Sequence, residues 1–408
     1  MEKRNIPEIR FKGFSEDWEE EQLSNIYEFS NGINAPKESY GKGRKMVSVL
    51  DILRDRNIIY DEIVSSVQLP KEQEETKKLE KGDMVFVRSS EVVEEVGWAK
   101  SYNEDKYALF SGFSIRGKKK SNNLSYFIEL SLNNKNRKQI ENKAGGSTRY
   151  NVSQKILREI NLLLPELTEQ EKIGRLFEKL DQIIDLQGKV VEENKRLKQA
   201  LLQKLFPRKD QKFPDLRLKG FSGDWEEKKY KELGKILNGY AFKSEDFGLG
   251  NIKIIRISNL LSDGFVGGEF VTYKEDDNLK KFIVRDGEIL IAMSGATTGK
   301  LAINKSDAYL NQRVGAFKPS KNLDNYFLKS YLDRSEFYYF ISSNWVAGAQ
   351  PNISVKQIGE YDMMIPSLPE QEAIGNLFRS LDEKIAREEE RLEGYKTLKK
   401  SLLQKMFV

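Results

Sequence analysis

Between Glu169 and Phe206 apolar residues fall at Ile173, Phe177, Leu180, Ile184, Val191, Leu197, Leu201 and Leu205, interrupted only by Gln187 and Asn194. That spacing is close to the heptad rhythm of a helix with one apolar seam. The rhythm returns at Ile374, Phe378, Leu381, Ile385, Leu392, Leu398 and Leu402. Two long helices are therefore predicted. Pro165 and Pro366 stand just ahead of them, where proline sets the chain direction without removing a needed hydrogen bond, and Pro207 stops the first. About 40 residues rising about 1.5 Å each make a rod of roughly 60 Å. Neither helix can hide its stripe alone, so the two are expected to pair. Because a globular stretch separates them in sequence, an antiparallel pairing is expected, with one globular body at each end.

The remaining stretches carry short apolar runs, Lys45 to Leu50, Met84 to Val87, Ile252 to Ile257 and Ile289 to Met293, bounded by Gly, Asp or Ser and readable as strands. A helical patch is expected over Tyr326 to Phe340. The fold class expected is α+β: two mixed α/β bodies joined by two long helices in an antiparallel coiled coil, with an internal pseudo-two-fold repeat.

The repeat is written in the sequence. Pro7 to Glu20, PEIRFKGFSEDWEE, returns as Pro214 to Glu227, PDLRLKGFSGDWEE. The pair Asn31-Gly32 returns as Asn238-Gly239, and Leu164 to Phe206 matches Ile365 to Phe407 at roughly half of its positions. Both copies of the helix close on Leu-Leu-Gln-Lys-X-Phe. The frames are duplicated while the bodies between them have diverged, which sets the expected boundaries at 1–165, 166–207, 208–366 and 367–408.

Composition narrows the chemistry. With 408 residues, two domains plus connecting helices are the natural expectation. There is no cysteine and no histidine, which removes disulfides, thiolate sites and the commonest general base and metal ligand. No stretch approaches the roughly 20 apolar residues that cross a bilayer, and a cytoplasmic location is expected. Net charge is only +5, so any electrostatic footprint must be local. One candidate is Asn133 to Arg158, where Lys135, Arg137, Lys138, Lys143, Arg149, Lys155 and Arg158 face only Glu141 and Glu159.

Two motifs invite catalytic readings and fail on spacing. Gly295 and Gly299 have three residues between them, and Leu301 follows Lys300, whereas a phosphate-binding Walker loop needs four residues and then Ser or Thr after its lysine. Pro214-Asp215 with Glu226-Glu227-Lys228 loosely fits a metal-dependent nuclease, but the duplicate reads Glu19-Glu20-Glu21 and lacks the lysine. Trp18 and Trp225, at matching places in the two copies, read as core anchors.

Loop residues able to donate to phosphates or base edges are the better candidates. In the first body they are Asn34, Lys37, Lys42, Arg44, Arg88 and Ser89, with Ser147, Thr148, Arg149 and Tyr150 further on. In the second they are Tyr240, Lys243, Thr297, Thr298, Lys300, Asn311, Gln312, Arg313, Gln350 and Asn352. On the helices, Ile173, Phe177, Leu180, Ile184 and Leu201 with Ile374, Phe378, Leu381, Ile385 and Leu402 are the expected interface. A self-sufficient nuclease or methyltransferase and a scaffold with no DNA role are the competing readings.

The Gly-Phe-Ser-X-Asp-Trp-Glu strips, the Pro-X-Leu-X-Glu-Gln-Glu-X-Ile-Gly openings at Pro165 and Pro366, the Leu-Leu-Gln-Lys endings and Leu310-Asn-Gln-Arg313 together resemble the specificity subunits of type I restriction-modification systems. The resemblance spans essentially the whole chain. It implies that each body is a target recognition domain reading one half of a two-part target in double-stranded DNA, and that the helices fix the spacer. It further implies two methylation subunits docked along the helices and restriction subunits completing the nuclease. S-adenosylmethionine would sit on the methylation partner, ATP and magnesium on the restriction partner, and no cofactor on this chain. The chain lacks the Pro-Pro pair of the adenine methyltransferase motif. Phe110-Ser-Gly-Phe113 stands where the second body has Leu310-Asn-Gln-Arg313, so the two half-sites are expected to differ.

Overall fold

A computed structural model describes residues 4–345 and 351–408. They form two compact units, one made of the described residues up to 189 together with 389–408 and the other of the described residues between 190 and 388. Among the described residues no helix is long and apolar enough to cross a membrane.

The two units repeat one sheet plan. In the first, Tyr27–Asn31, Ser114–Lys119, Met84–Val87 and Ala99–Ser101 lie side by side in that order, each antiparallel to its neighbour. In the second, Gly234–Asn238, Val314–Pro319, Ile289–Ala292 and Leu301–Ile303 do the same. Met84–Val87 and Ile289–Ala292 are buried throughout, which explains their unbroken apolar runs. Successive strand side chains point to opposite faces. Met84 and Phe86 accordingly enter one core and Val85 and Val87 another, just as Ile289 and Ile291 part from Leu290 and Ala292.

A second, smaller sheet differs between the units. Ser66–Val67, Tyr40–Val47 and Leu109–Phe110 make three strands in the first, whereas Val271–Tyr273, Ile252–Ile255, Ala308–Leu310 and Ile283–Val284 make four in the second. Two expected elements are divided. The run Lys45 to Leu50 is a strand ending at Val47 and a helix, Val49–Leu53, because Ser48 and Asp51 form a capping box between them. The patch Tyr326 to Phe340 is two helices, Asn325–Leu332 and Ser335–Asn344. The chain breaks between them where Asp333 takes the Lys329 ammonium at 2.6 Å and Arg334 donates to the Pro207 carbonyl at 3.1 Å.

The repeated sequences turn out to be clasps. Trp18 and Trp225 are both buried. Arg10 on the first opening strip donates two hydrogen bonds to Glu169, at 2.8 and 2.7 Å, and Arg217 does the same to Glu370 at 2.9 and 2.7 Å. The adjacent glutamines tie the helix starts to the bodies. Gln170 donates to the Pro165 carbonyl and accepts from the Leu124 amide, and Gln371 donates to the Pro366 carbonyl and accepts from the Asp324 amide. Each Glu-Gln pair thus serves one ion pair and one backbone clip.

The long helices span Leu167–Lys204 and Leu368–Lys405. In the first unit Phe177 lies 6.0 Å from Phe407, and Asp181 pairs with Lys399. Moving forward along one helix moves backward along the other, so the pairing is antiparallel. In the second unit Phe206 lies 5.9 Å from Phe378 and Lys198 lies 2.7 Å from Asp382, again antiparallel. Ile173, Phe177, Leu180, Ile374, Phe378, Leu381 and Ile385 are buried, while Ile184, Leu201 and Leu402 are half-buried.

One expectation about the seam is corrected. Leu197 and Leu398 are about half exposed, 50% and 47%, and do not belong to it. Continuing the alternating three- and four-residue steps beyond Val191 lands on Asn194 and Lys198 instead. Asn194 is buried and donates to the Val190 carbonyl at 2.7 Å. Lys198 meets Asp333 and Asp382, and its repeat partner Lys399 meets Asp181. The seam carries a lysine at matching places in the two repeats, each neutralised by a carboxylate.

Candidate nucleic-acid interface

Each body ends its large sheet in the same small construction. Beyond the rung Val87 to Ser114, the Arg88 amide donates to the Phe113 carbonyl at 2.8 Å, and the Val152 amide donates to the Arg88 carbonyl at 2.9 Å. In the second body the Met293 amide donates to the Arg313 carbonyl at 2.9 Å, and the Ile353 amide to the Met293 carbonyl at 3.0 Å. Ser89 sits opposite Asn151, and Ser294 opposite Asn352. The backbone therefore matches residue for residue, and the serine and asparagine recur, while Arg88 and Phe113 give way to Met293 and Arg313.

The repeated Asn-Gly pairs belong to this frame. A Cβ added at Gly32 would stand 1.8 Å from the Ser111 carbonyl oxygen, and one at Gly239 would stand 2.0 Å from that of Asn311. Only glycine lets these segments pass so close, which delivers Asn31 and Asn238 to the strand ends.

In the second body a cleft of about 500 Å³ opens here, lined by Asn238, Ser294, Gln312, Arg313 and Asn352 among others. Gln312, Arg313 and Asn352 are exposed, and among the described residues the Arg313 guanidinium has no hydrogen-bond or ion-pair partner. The Ser294 hydroxyl is buried without a partner. Thr298 does not face outward. It is 4% exposed, and its hydroxyl donates to the Gly295 and Pro351 carbonyls at 2.7 and 3.1 Å, stapling the glycine loop to the cleft wall. Thr297 remains exposed, Lys300 and Asn311 are half-buried, and the Tyr240 ring packs 5.1 Å from those of Phe242 and Phe282. Lys243 is exposed beside Glu245. Gln350 lies outside the described residues.

In the first body Arg88 and Ser89 are half-buried, and Arg88 has no ion-pair partner among the described residues. Ser147, Thr148 and Arg149 are exposed, Arg149 pairs with Glu91 at 3.0 Å, and Tyr150 is half-buried against the core. Lys37 and Lys42 are exposed, and Asn34 packs beside Gly112. Arg44 is otherwise engaged. It donates to Tyr107 at 2.7 Å and to Glu74 at 3.3 Å and lies 4.2 Å from the Tyr107 ring centre. Hydrogen bonding to Tyr60, with help from Glu74 against the cost of burial, raises its already high pKa. The basic segment also loses a member, since Arg137 is 7% exposed and bonded to Glu141 and to the Val93 and Val96 carbonyls. Asn31, Asn151 and Asn238 stand at this frame without having been among the expected contact residues, and for Asn31 and Asn238 the repeated Asn-Gly was the available signal.

A chain with two bodies built on one large-sheet plan, presenting unequal side chains from equivalent places on a duplicated helical frame, is a two-headed recognition scaffold. It belongs to the type I restriction modification DNA specificity domain family, whose family model matches residues 15–196 and again 222–394. A specificity subunit of the type I restriction enzyme MjaVIII from Methanocaldococcus jannaschii is 28% identical over 278 residues, 65% of this chain and 65% of that protein. The match therefore covers a little under two thirds of that relative's length. The putative MjaX specificity subunit of the same organism is 23% identical over 98% of this chain and 95% of its own. In fold the chain is similar to the crystal structure of a type I restriction-modification S subunit from M. genitalium, with a TM-score of 0.66 and 15% identity over 99% of both chains. It is also similar to a chain from a structure addressing complex assembly of the type I system, at 0.55 and 16% over 96% of this chain and 97% of that one.

Proposed function

We propose that this chain is the DNA-reading subunit of a type I restriction-modification complex, each body reading one half of a bipartite duplex target. The observation that carries this reading is the pair of matching strand-end frames with different side chains on them. The helices set the spacer, on a scale suited to half-sites about one helical turn, some 34 Å, apart. Methylation subunits dock along the helices, where Ile183 and Leu186 leave apolar surface exposed. They bring S-adenosylmethionine, restriction subunits bring ATP and magnesium, and no catalytic step falls to this chain, which acts in the cytoplasm.

Replacing residues 7–164 with the corresponding body of another family member, in the complex with methylation subunits, tests the reading. Methylation-site sequencing is expected to report one altered half-site, with the other half and the spacer kept. Changes in both halves would overturn modular reading. The same complex is expected to bind duplex DNA with an affinity that falls steeply with salt, as phosphate contacts require. Salt-independent binding, or none, would favour a scaffold without a DNA role.

A further inference from the structure

The two reading frames are superimposable in their hydrogen bonds, and one cross-strand pair in them is exchanged. Position 88 of the first body corresponds to 293 of the second, and position 113 to 313, because the same amide-to-carbonyl bonds join 88 to 113 and 293 to 313. The first body carries Arg88 opposite Phe113, and the second carries Met293 opposite Arg313. Each pair therefore holds one arginine and one large apolar residue, in opposite order.

Exposure follows the exchange. Met293 is 6% exposed and Phe113 56%, so the inner seat is apolar in one head and cationic in the other, and the outer seat the reverse. The polar surroundings are kept. Asn31 and Asn238 end the equivalent strands, and Asn151 and Asn352 flank the equivalent serines. Residues directly opposite on antiparallel strands have Cβ atoms about 5 Å apart, whereas successive bases on a strand rise about 3.4 Å. Moving the guanidinium from one seat to the other is enough to address a different base pair.

Neither arginine is engaged in an ion pair or side-chain hydrogen bond among the described residues, in a chain where Arg10, Arg44, Arg137, Arg217 and Arg334 all are. Arg313, free at the mouth of a polar cleft with amide groups at its side, has the chemistry of base-edge readout, and Arg88 is a half-buried cation beside Asn151 and Asn31 at the equivalent strand end. Arginine bonds both acceptors of a guanine, and an exposed phenyl ring packs on a thymine methyl.

We propose that the exchanged pair, 88 with 113 and 293 with 313, is the specificity-determining corner of each head, and that Arg313 reads a guanine in the second half-site from the outer seat while Arg88 reads one in the first from the inner seat. This rests on the DNA-reading function proposed above.

The test uses the full complex with methylation subunits on a randomised duplex library, read by methylation-site sequencing. Arg313→Ala is expected to relax one guanine position of the second half-site by roughly tenfold or more, leaving the first half-site and the spacer intact. The intact first half-site also reports that the variant is folded. Arg313→Lys keeps the charge but loses the two-pronged geometry, so it is expected to relax the same position. The exchange Met293→Arg with Arg313→Phe is expected to move the guanine preference to a neighbouring position. The proposal falls if Arg313→Ala leaves the second half-site unchanged, or weakens all sequences equally while Arg313→Lys restores them, which marks a phosphate contact. Absence of bipartite methylation with the unaltered chain would instead overturn the DNA-reading function itself.

Discussion

Phe206→Ala is expected to destabilise the unit formed by residues 190–388 by about 3–5 kcal/mol, measured as a shift of its unfolding midpoint in denaturant. The ring is fully buried, with ring centres 5.3 Å from Tyr331, 5.5 Å from Phe327, 5.9 Å from Phe378 and 6.2 Å from Trp225. Removing it leaves a hole lined by rigid aromatic walls, which cannot collapse onto the space as a flexible chain would. Phe407 occupies the repeated place among Trp18, Phe127 and Phe177, so Phe407→Ala is expected to have the same effect on the other unit. Leu197→Ala is the informative contrast. Its side chain is half exposed, and the loss is expected to stay within about 0.5 kcal/mol. Comparable losses for Leu197 and Phe206 would mean that the seam runs through Leu197 after all.

Lys198→Met is expected to cost about 3 kcal/mol at neutral pH, because from a largely buried position it takes the cation from Asp382 and leaves Asp333 to Lys329 alone. Burial works against the ammonium, but Asp333 and Asp382 outweigh it and hold the Lys198 pKa above its ordinary value. Burial likewise works against the Asp333 carboxylate, but Lys329 and Lys198 hold its pKa below the ordinary value. The lowered acid contributes stability that is present above the ordinary carboxylate pKa of about 3.9 and is lost as pH falls through its folded-state value. The raised base contributes stability that is present below the ordinary lysine pKa of about 10.4 and is lost as pH rises through its folded-state value. The penalty of Lys198→Met is therefore expected to be level from about pH 5 to about pH 9 and to shrink in stronger acid and stronger base. A penalty constant from pH 2 to pH 7 in urea unfolding would rule out this electrostatic account.

These two sites show where the sequence was readable. Duplicated strips, both long helices and the strands around Met84 and Ile289 announce themselves through repetition and unbroken apolar runs. Lys198 does not, because a leucine stands beside it and its partners Asp333 and Asp382 lie far along the chain. Hydropathy favours Leu197, while the heptad step and distant carboxylates favour the lysine. Arg44, Arg137 and Thr298 are hidden from the sequence for the same reason. Each looks like a free loop donor until folding brings Glu74 and Tyr107, the Val93 and Val96 carbonyls, or the Pro351 carbonyl to it. Conversely, the repeated Asn-Gly pairs were visible, but only the carbonyl oxygens of Ser111 and Asn311 give the reason for the glycines.

The capping box at Ser48 and the break at Asp333 make a related point. Both lie inside apolar runs whose composition argues for one element, and at both a carboxylate, Asp51 or Asp333, accepts a hydrogen bond from a residue three or four positions earlier. The cleft beside Arg313 is assembled from four separate stretches, around Asn238, Ser294, Arg313 and Asn352. Sequence named several of its members without placing them together.

The central claim is that one duplicated frame carries two different reading heads. Sequencing the methylome of the host with and without this chain tests it most directly. The expected result is one bipartite motif with unlike halves and a fixed spacer, methylated only when the chain is present. An unchanged methylome, or a lost motif that is continuous or has identical halves, would contradict it.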